Sequence, residues 1–273
     1  MQGIREFIPT DTKIAYAQAL LAVGFDTLDV GSFVSPKAIP QMADTADVLA
    51  GLDRADTPTR LLAIVANRRG AEAACAQPSV DYLGYPFSVS ETFQVRNTNA
   101  TIDESFGRLE LIRRLATDAG KELVVYLSMG FGNPYGDPWN VQIVAQYAEQ
   151  LAERGARILQ LSDTIGVSTP ASIEYLFANL VPRLPEVEFG AHLHTTPATW
   201  REKVDAAYRA GCRRFDGALR GYGGCPMARD ELTGNMPTEN IVAYLDEHTP
   251  TGLDYAALRR ALALLPNVFP HAA

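Results

Sequence analysis

No part of this 273-residue chain approaches the ~18–20 uninterrupted apolar residues of a membrane-spanning helix. The opening stretch MQGIREFIPTDTK has neither an apolar signal core nor an Arg/Ser-rich transit pattern. A soluble, cytoplasmic protein with no membrane partner is the expectation. Lysine and arginine are in the minority, 24 against 32 aspartates and glutamates, for a net charge of −8, and they form no block. A nucleic-acid footprint needs such a block, so nucleic acid is not an expected partner; a small anionic substrate needs only a few local cations. Cysteine is scarce. Cys75, Cys212 and Cys225 are odd in number, far apart and without a CxxC pair, which argues against a disulfide framework and a zinc knuckle. Cys75 and Cys212 sit in apolar stretches and read as buried thiols, whereas Cys225 lies among glycines. No linker or low-complexity segment divides the chain, so a single domain over 1–273 is expected.

What is present is alternation. Helix-like runs such as TKIAYAQALLAVGF (12–25) and NVQIVAQYAEQLAERGA (140–156) alternate with seven strand-like runs: DTLDVGSF, TRLLAIVAN, VDYLGYPF, ELVVYLSMGF, RILQLSD, VEFGAHLH and RRFDGAL. Thr101 and Glu104 have capping-box spacing at the head of one helix. Gly24, Gly120, Gly155 and Gly211 stand where four helices should stop, each shortly before a strand. This pattern predicts a parallel α/β fold. No G-x-G-x-x-G follows the first strand, so a dinucleotide fold has no support. The competing architecture is a TIM (β/α)8 barrel, which needs eight strands. The chain opens with a loop and a helix, as though one strand were missing in front.

Half of the four histidines fall in EFGAHLHTTPATW, residues 188–200. Strand side chains alternate faces, so Val187, Phe189, Ala191 and Leu193 face one way and Glu188, Gly190, His192 and His194 the other. In a barrel the histidines would face the axis at the strand's C-terminal end, where barrel active sites lie. Two imidazoles at i, i+2 can chelate one ion; they can equally be hydrogen-bonded histidines in a polar pocket. In GYGGCPMARDELTGN (221–235) the glycines around Cys225 imply a mobile or tightly turned loop, whose thiol could act as acid or base or be of no consequence. Asn235 reads as a turn or capping residue unless a metal recruits its carbonyl oxygen. Asp163 ends a strand, where a turn role is common. Asp29, opposite in face to Leu28 and Val30, would be an inward acid in need of a partner.

Taken together, SFVSPKAIPQM (32–42), SDTIGVSTP (162–170), HLH (192–194), GYGGCPMA (221–228) and TGN (233–235) resemble the 3-hydroxy-3-methylglutaryl-CoA lyase family of metal-dependent TIM-barrel lyases, in family order across nearly the whole chain. The resemblance implies that His192, His194 and Asn235 ligate a divalent cation, Mg²⁺ or Mn²⁺. It places Cys225 on a mobile catalytic loop closing over an acyl-CoA thioester, Asp163 as an active-site carboxylate and Asp29 where the family has Glu. His192, Cys225, Asp163 and Asp29 form the implied catalytic set. Gln2 aligns with a family Gln, and Arg5 with a Lys near the substrate's carboxylate. The implied reaction is retro-Claisen cleavage of a 3-hydroxyacyl-CoA to acetyl-CoA and a keto acid such as acetoacetate. A homodimer is expected from the family alone.

The chain departs from the family in four places. The family's first strand, with an Arg-Asp pair that supplies the enolate-stabilising cation and the anionic metal ligand, would fall upstream of Met1. Thr195 replaces an Asp after the histidine pair, Asp29 is a methylene shorter than Glu, and MGFGNPYGDPW (129–139) differs from the usual loop. A Claisen-condensing acyl-CoA synthase and a non-catalytic truncated barrel binding a ligand or partner are the competing readings.

Overall fold

The computed structural model describes Met1, Ile4, residues 6–223 and residues 234–269. In chain order its elements are α1 (Thr10–Leu21), β1 (Thr27–Ser32), α2 (Thr45–Ala50), β2 (Arg60–Ile64), α3 (Arg68–Cys75), β3 (Tyr82–Ser88), α4 (Glu91–Thr98) and α5 (Ile102–Asp118). There follow β4 (Glu122–Ser128), α6 (Val141–Glu153), β5 (Ile158–Ser162), α7 (Pro170–Arg183), β6 (Glu188–His192), α8 (Trp200–Arg209), β7 (Arg214–Asp216), α9 (Thr238–Asp246) and α10 (Tyr255–Val268). All seven expected strands are present, and their order follows the chain. The four helix-ending glycines each take the left-handed conformation, with φ between 69° and 100°, which spares the Cβ clash another residue would meet. No helix among the described residues is long and apolar enough to cross a membrane.

The chain packs as two compact units. The first comprises Met1–Gly84, Leu115–Glu122 and Pro250–Ala273. Here β1, β2 and the start of β3 pair in parallel. Tyr16 of α1 meets Phe269, just past α10, edge to face. Gln41 of the SFVSPKAIPQM motif accepts from Ile8 N–H and donates to the carbonyls of Ile4 and Glu6. Beside it the buried Lys13 ammonium donates to the Gln41 carbonyl and to Asp44 Oδ1 at 2.7 Å. The motif therefore anchors the residues that lead into α1.

The second unit comprises Tyr85–Arg114 and Leu123–Thr249. Its strands β4 to β7 pair in parallel. Every residue of β5 is buried, and Val124, Val125 and Leu127 of β4 are wholly covered. Strands buried on both faces read in sequence as continuous Val/Leu/Ile runs, as these do. Val144, Ala148 and Leu151 of α6 and Ile173, Leu176, Phe177 and Leu180 of α7 cover them, at the i, i+3, i+4 and i+7 spacings of a helix stripe. The expected capping box starts α5: Glu104 N–H donates to Thr101 Oγ1 at 3.1 Å and Thr101 N–H to Glu104 Oε2 at 3.0 Å. In parallel α/β folds the carboxyl ends of the strands gather the functional side chains. In this unit those ends bring together the segments after β4, β5, β6 and β7.

Candidate metal centre

The apolar face predicted for VEFGAHLH is found: Val187, Phe189, Ala191 and Leu193 are each at most 6% exposed. His192, last residue of β6, is half-buried, and His194 just beyond it is buried. Their rings lie 5.7 Å apart between centroids. His194 has left the parallel ladder. It forms instead an antiparallel bridge with Asn235, flanked by Thr195 N–H to the Gly234 carbonyl (3.0 Å) and Met236 N–H to the Leu193 carbonyl (3.1 Å). Residues 193–195 and 234–236, 41 residues apart in sequence, therefore lie side by side. The segment entering this bridge needs its glycines. Gly221 has φ +69°, and a Cβ there would stand 2.6 Å from the Asn235 carbonyl oxygen; on Gly223, at φ +110°, it would stand 2.9 Å from Asn235 Nδ2. Of the two expected forms for the GYGG loop, tight turning is what these two residues display.

Around His192 stand residues that sequence reasoning did not single out. Asp216, the last residue of β7 and the register partner of His192, places Oδ2 3.3 Å from His192 Nδ1. Its Oδ1 accepts from Gln160 Nε2 at 2.9 Å. Tyr126 of β4 meets the His192 ring edge to face. A usable signal was present: in RRFDGAL, period-two alternation puts Arg214 and Asp216 on one face, as it did the histidines. An acid closing the next strand is a natural partner for an imidazole.

Asp163 follows β5 and is completely buried. Its Oδ1 accepts from Val167 N–H (2.8 Å), and its Oδ2 from Ser168 N–H (3.1 Å), Ser168 Oγ (2.5 Å) and Lys203 Nζ (2.9 Å). Asp29 belongs to the first unit, where it is exposed and accepts from Gly31 N–H at 3.2 Å beside a bulge in β1. Gln2, Arg5 and Cys225 lie outside the described residues.

The donor set fits a divalent cation. A proton on His192 Nδ1 shared with Asp216 leaves the lone pair on Nε2, the form in which imidazole binds metals, and a carboxylate behind a ligating histidine is the usual supporting arrangement. Asn235 Nδ2 donates to the Tyr222 carbonyl at 3.3 Å, which leaves the amide oxygen as that side chain's ligating atom. Two imidazoles and an amide oxygen, without thiolate, suit Mg²⁺ or Mn²⁺ among other divalent ions. Among the described residues no group of three His, Cys, Asp or Glu side chains forms a metal cluster; the set here is two histidines and an asparagine.

Known proteins resemble this chain over most of its length. The family model described as HMGL-like matches residues 1–265. The chain is 35% identical over 247 residues to the hydroxymethylglutaryl-CoA lyase YngG of Bacillus subtilis, covering 90% of this chain and 82% of that one. It is 32% identical over 259 residues to the 3-hydroxy-3-isohexenylglutaryl-CoA/hydroxy-methylglutaryl-CoA lyase of Pseudomonas aeruginosa, covering 94% and 85%. The structure of an HMG-CoA lyase from Acinetobacter baumannii in complex with coenzyme A and 3-methylmalate superposes with a TM-score of 0.91 at 30% identity, over 99% of this chain and 88% of that one. The α/β fold with its parallel strands is thus TIM-barrel-like, as the sequence led us to expect.

Proposed function

Because the chain belongs to the HMGL-like family of 3-hydroxy-3-methylglutaryl-CoA lyases, we propose that it is a carbon–carbon lyase cleaving a 3-hydroxyacyl-CoA to acetyl-CoA and a keto acid. The observation that carries this reading is the backbone bridge of His194 to Asn235 beside His192, with Asp216 seated behind His192. Those three residues would hold a divalent cation, Mg²⁺ or Mn²⁺. When bound, such a cation supplies Lewis-acid stabilisation to the hydroxyl and carboxylate oxygens of the substrate.

The chain's own residues do the rest. Asp216 fixes the tautomer and orientation of His192, and the bridge to Asn235 fixes His194. In the reaction a base takes the proton of the substrate's C3 hydroxyl, C3 becomes the ketone carbon, and the C2–C3 bond breaks. Its electron pair passes into the enolate of the departing thioester, which is protonated at C2 to give acetyl-CoA. Cys225, on a loop that would close over the thioester, is our candidate for one of these proton transfers. Gln2 and Arg5 are our candidates for contacts with the substrate's carboxylate side, and Asp29 for the place that family members fill with Glu. Relatives that act on 3-hydroxy-3-methylglutaryl-CoA make it the first substrate to try, and the isohexenyl analogue the second.

The test is incubation of the purified protein with 3-hydroxy-3-methylglutaryl-CoA and Mn²⁺, with acetyl-CoA and acetoacetate quantified separately. Equimolar release of the two, abolished by EDTA and by His192→Ala, is expected. Absence of both products with every 3-hydroxyacyl-CoA tried, from a folded protein, would refute the lyase assignment. Condensation of acetyl-CoA with a keto acid would move the assignment to a synthase.

A further inference from the structure

Lys203 of α8 is 2% exposed and reaches three acceptors on two chain segments. Its ammonium donates to Asp163 Oδ2 at 2.9 Å, to the Gly166 carbonyl at 3.1 Å and to the His194 carbonyl at 3.0 Å. An ammonium has three N–H bonds, and each is used. Asp163 in turn takes four donors, counting Val167 N–H and both the N–H and hydroxyl of Ser168. We infer that Lys203 is a positioning residue that latches His194 to the segment after β5, and that Asp163 acts as its counter-ion rather than as a proton-transfer group. The inference deepens the metal-dependent lyase reading and rests on it.

The physical case begins where β6 ends. His192 is the last ladder residue, so the backbone at His194 must find its partners elsewhere. The bridge to Asn235 supplies one side; the Lys203 ammonium supplies the other. A compact ammonium with rotatable donors suits three converging acceptors better than a planar guanidinium. A buried ammonium is costly without a hydrogen-bonded carboxylate beside it, and Asp163 is that partner. With three protein donors on Oδ2 and one on Oδ1, the buried Asp163 carboxylate is held in place, and its part is holding still. The latch thus keeps the two imidazoles and the Asn235 amide in one ligating arrangement.

Removing the lysine alone leaves a buried carboxylate unpaired, so the principal variant is the double Asp163→Asn/Lys203→Met, which removes both charges together. Three readouts are expected to change. Hydrogen exchange of the metal-free protein should show residues 192–196 losing protection while 124–127 of β4 keep theirs. Calorimetric titration with Mn²⁺ should give a dissociation constant weakened by about 10–100-fold, as for other losses of support behind ligands. The deficit in kcat/KM at limiting Mn²⁺ should shrink as Mn²⁺ is raised. A folded double variant with wild-type exchange at 192–196 and wild-type Mn²⁺ affinity would overturn the latch. A deficit independent of Mn²⁺ concentration would overturn it too, returning Asp163 to proton transfer. If the wild type itself neither binds Mn²⁺ nor turns over, the lyase reading fails separately. Exchange at 192–196 then decides: lost protection upholds the latch, and unchanged protection ends it.

Discussion

Gly190 of β6 lies so close to Gln160 of β5 that a β-carbon on the glycine would stand 1.8 Å from Gln160 Oε1. The missing side chain is what lets Gln160 lie across β6. From there its Nε2 reaches Asp216 on β7, the carboxylate behind His192. Gln160 is fully buried, and its Oε1 has no hydrogen-bond partner among the described residues. An amide is kept in the interior at some cost, and its evident work is to hold Asp216.

Gly190→Ala should therefore push Gln160 off Asp216 and destabilise the protein by roughly 1–3 kcal/mol, the range for overpacking a close-fitted interior. Adding Gln160→Ala should recover part of that loss, because the two side chains compete for one space. Urea unfolding of the wild type, both single variants and the double variant measures this coupling. A Gly190→Ala midpoint equal to wild type would mean the sheet yields without penalty, and the account of Gln160 would be wrong.

Removing the Asp216 carboxylate should weaken metal binding without removing a ligand. We expect Asp216→Asn to keep the fold and to raise the Mn²⁺ dissociation constant by about 10–100-fold, as in other losses of a carboxylate behind a ligating histidine. His192→Ala should raise it further. Titration calorimetry on the three proteins orders the effects. An Asp216→Asn affinity matching wild type would place Asp216 outside the support of the centre.

Local rules made most of this legible. Strand alternation put Val187, Phe189, Ala191 and Leu193 into the core and His192 on the other face, and both hold because one residue of slip would bury the wrong set. The Thr101–Glu104 capping box needs only three residues and is formed. What local rules missed are relationships across strands. Asp216 is 24 residues from His192 and meets it only through the β6–β7 register. Lys203 lies on a helix as one of its charged residues, and its burial follows from where α8 packs, which periodicity in its own segment does not report. The crossing of Gln160 over Gly190 needs the pairing of β5 with β6. The resemblance to a family singled out His194 and Asn235; that the two pair became visible only in their backbone bridge.

The loop after β4 is tied down by Asp137, and that tie should fail in acid. Asp137 Oδ2 accepts from Ser90 Oγ at 2.5 Å and Thr92 N–H at 2.9 Å, and Oδ1 from Thr92 Oγ1 at 2.9 Å. Burial pushes its carboxyl upward, but the hydrogen bonds from Ser90 and Thr92 outweigh this and hold it below the ordinary aspartate value. A depressed folded pKa means that the unfolded chain binds the proton first. The contribution is therefore complete above an unfolded value of about 3.9 and is lost as pH falls through the lower, folded value. Melting temperatures of wild type and Asp137→Asn from pH 6 down to pH 3 should differ most at pH 6 and converge in acid. Parallel curves across that range would show that Asp137 is not a source of acid sensitivity.

The native reactivity of the cysteines should follow their burial. Cys212 is fully buried, its thiol donating to the Arg214 carbonyl at 3.1 Å. Burial is the main cause that pushes its pKa up to about 12, so at pH 8 the reactive thiolate is scarce. Cys75 is half-buried beside the Leu115 carbonyl, and burial raises its pKa against the opposing pull of Lys121. A short pulse of iodoacetamide on the native protein at pH 8, followed by peptide mapping, should leave Cys212 unmodified and Cys75 labelled slowly; in urea both should react fully. The same map reports on Cys225. If its loop presents an exposed thiol for proton transfer, Cys225 should carry most of the native label, and Cys225→Ser should abolish most of the labelling while lowering lyase turnover. Fast native modification of Cys212 would contradict its enclosure between β6 and β7, and with it the packing that fixes the register of His192 against Asp216.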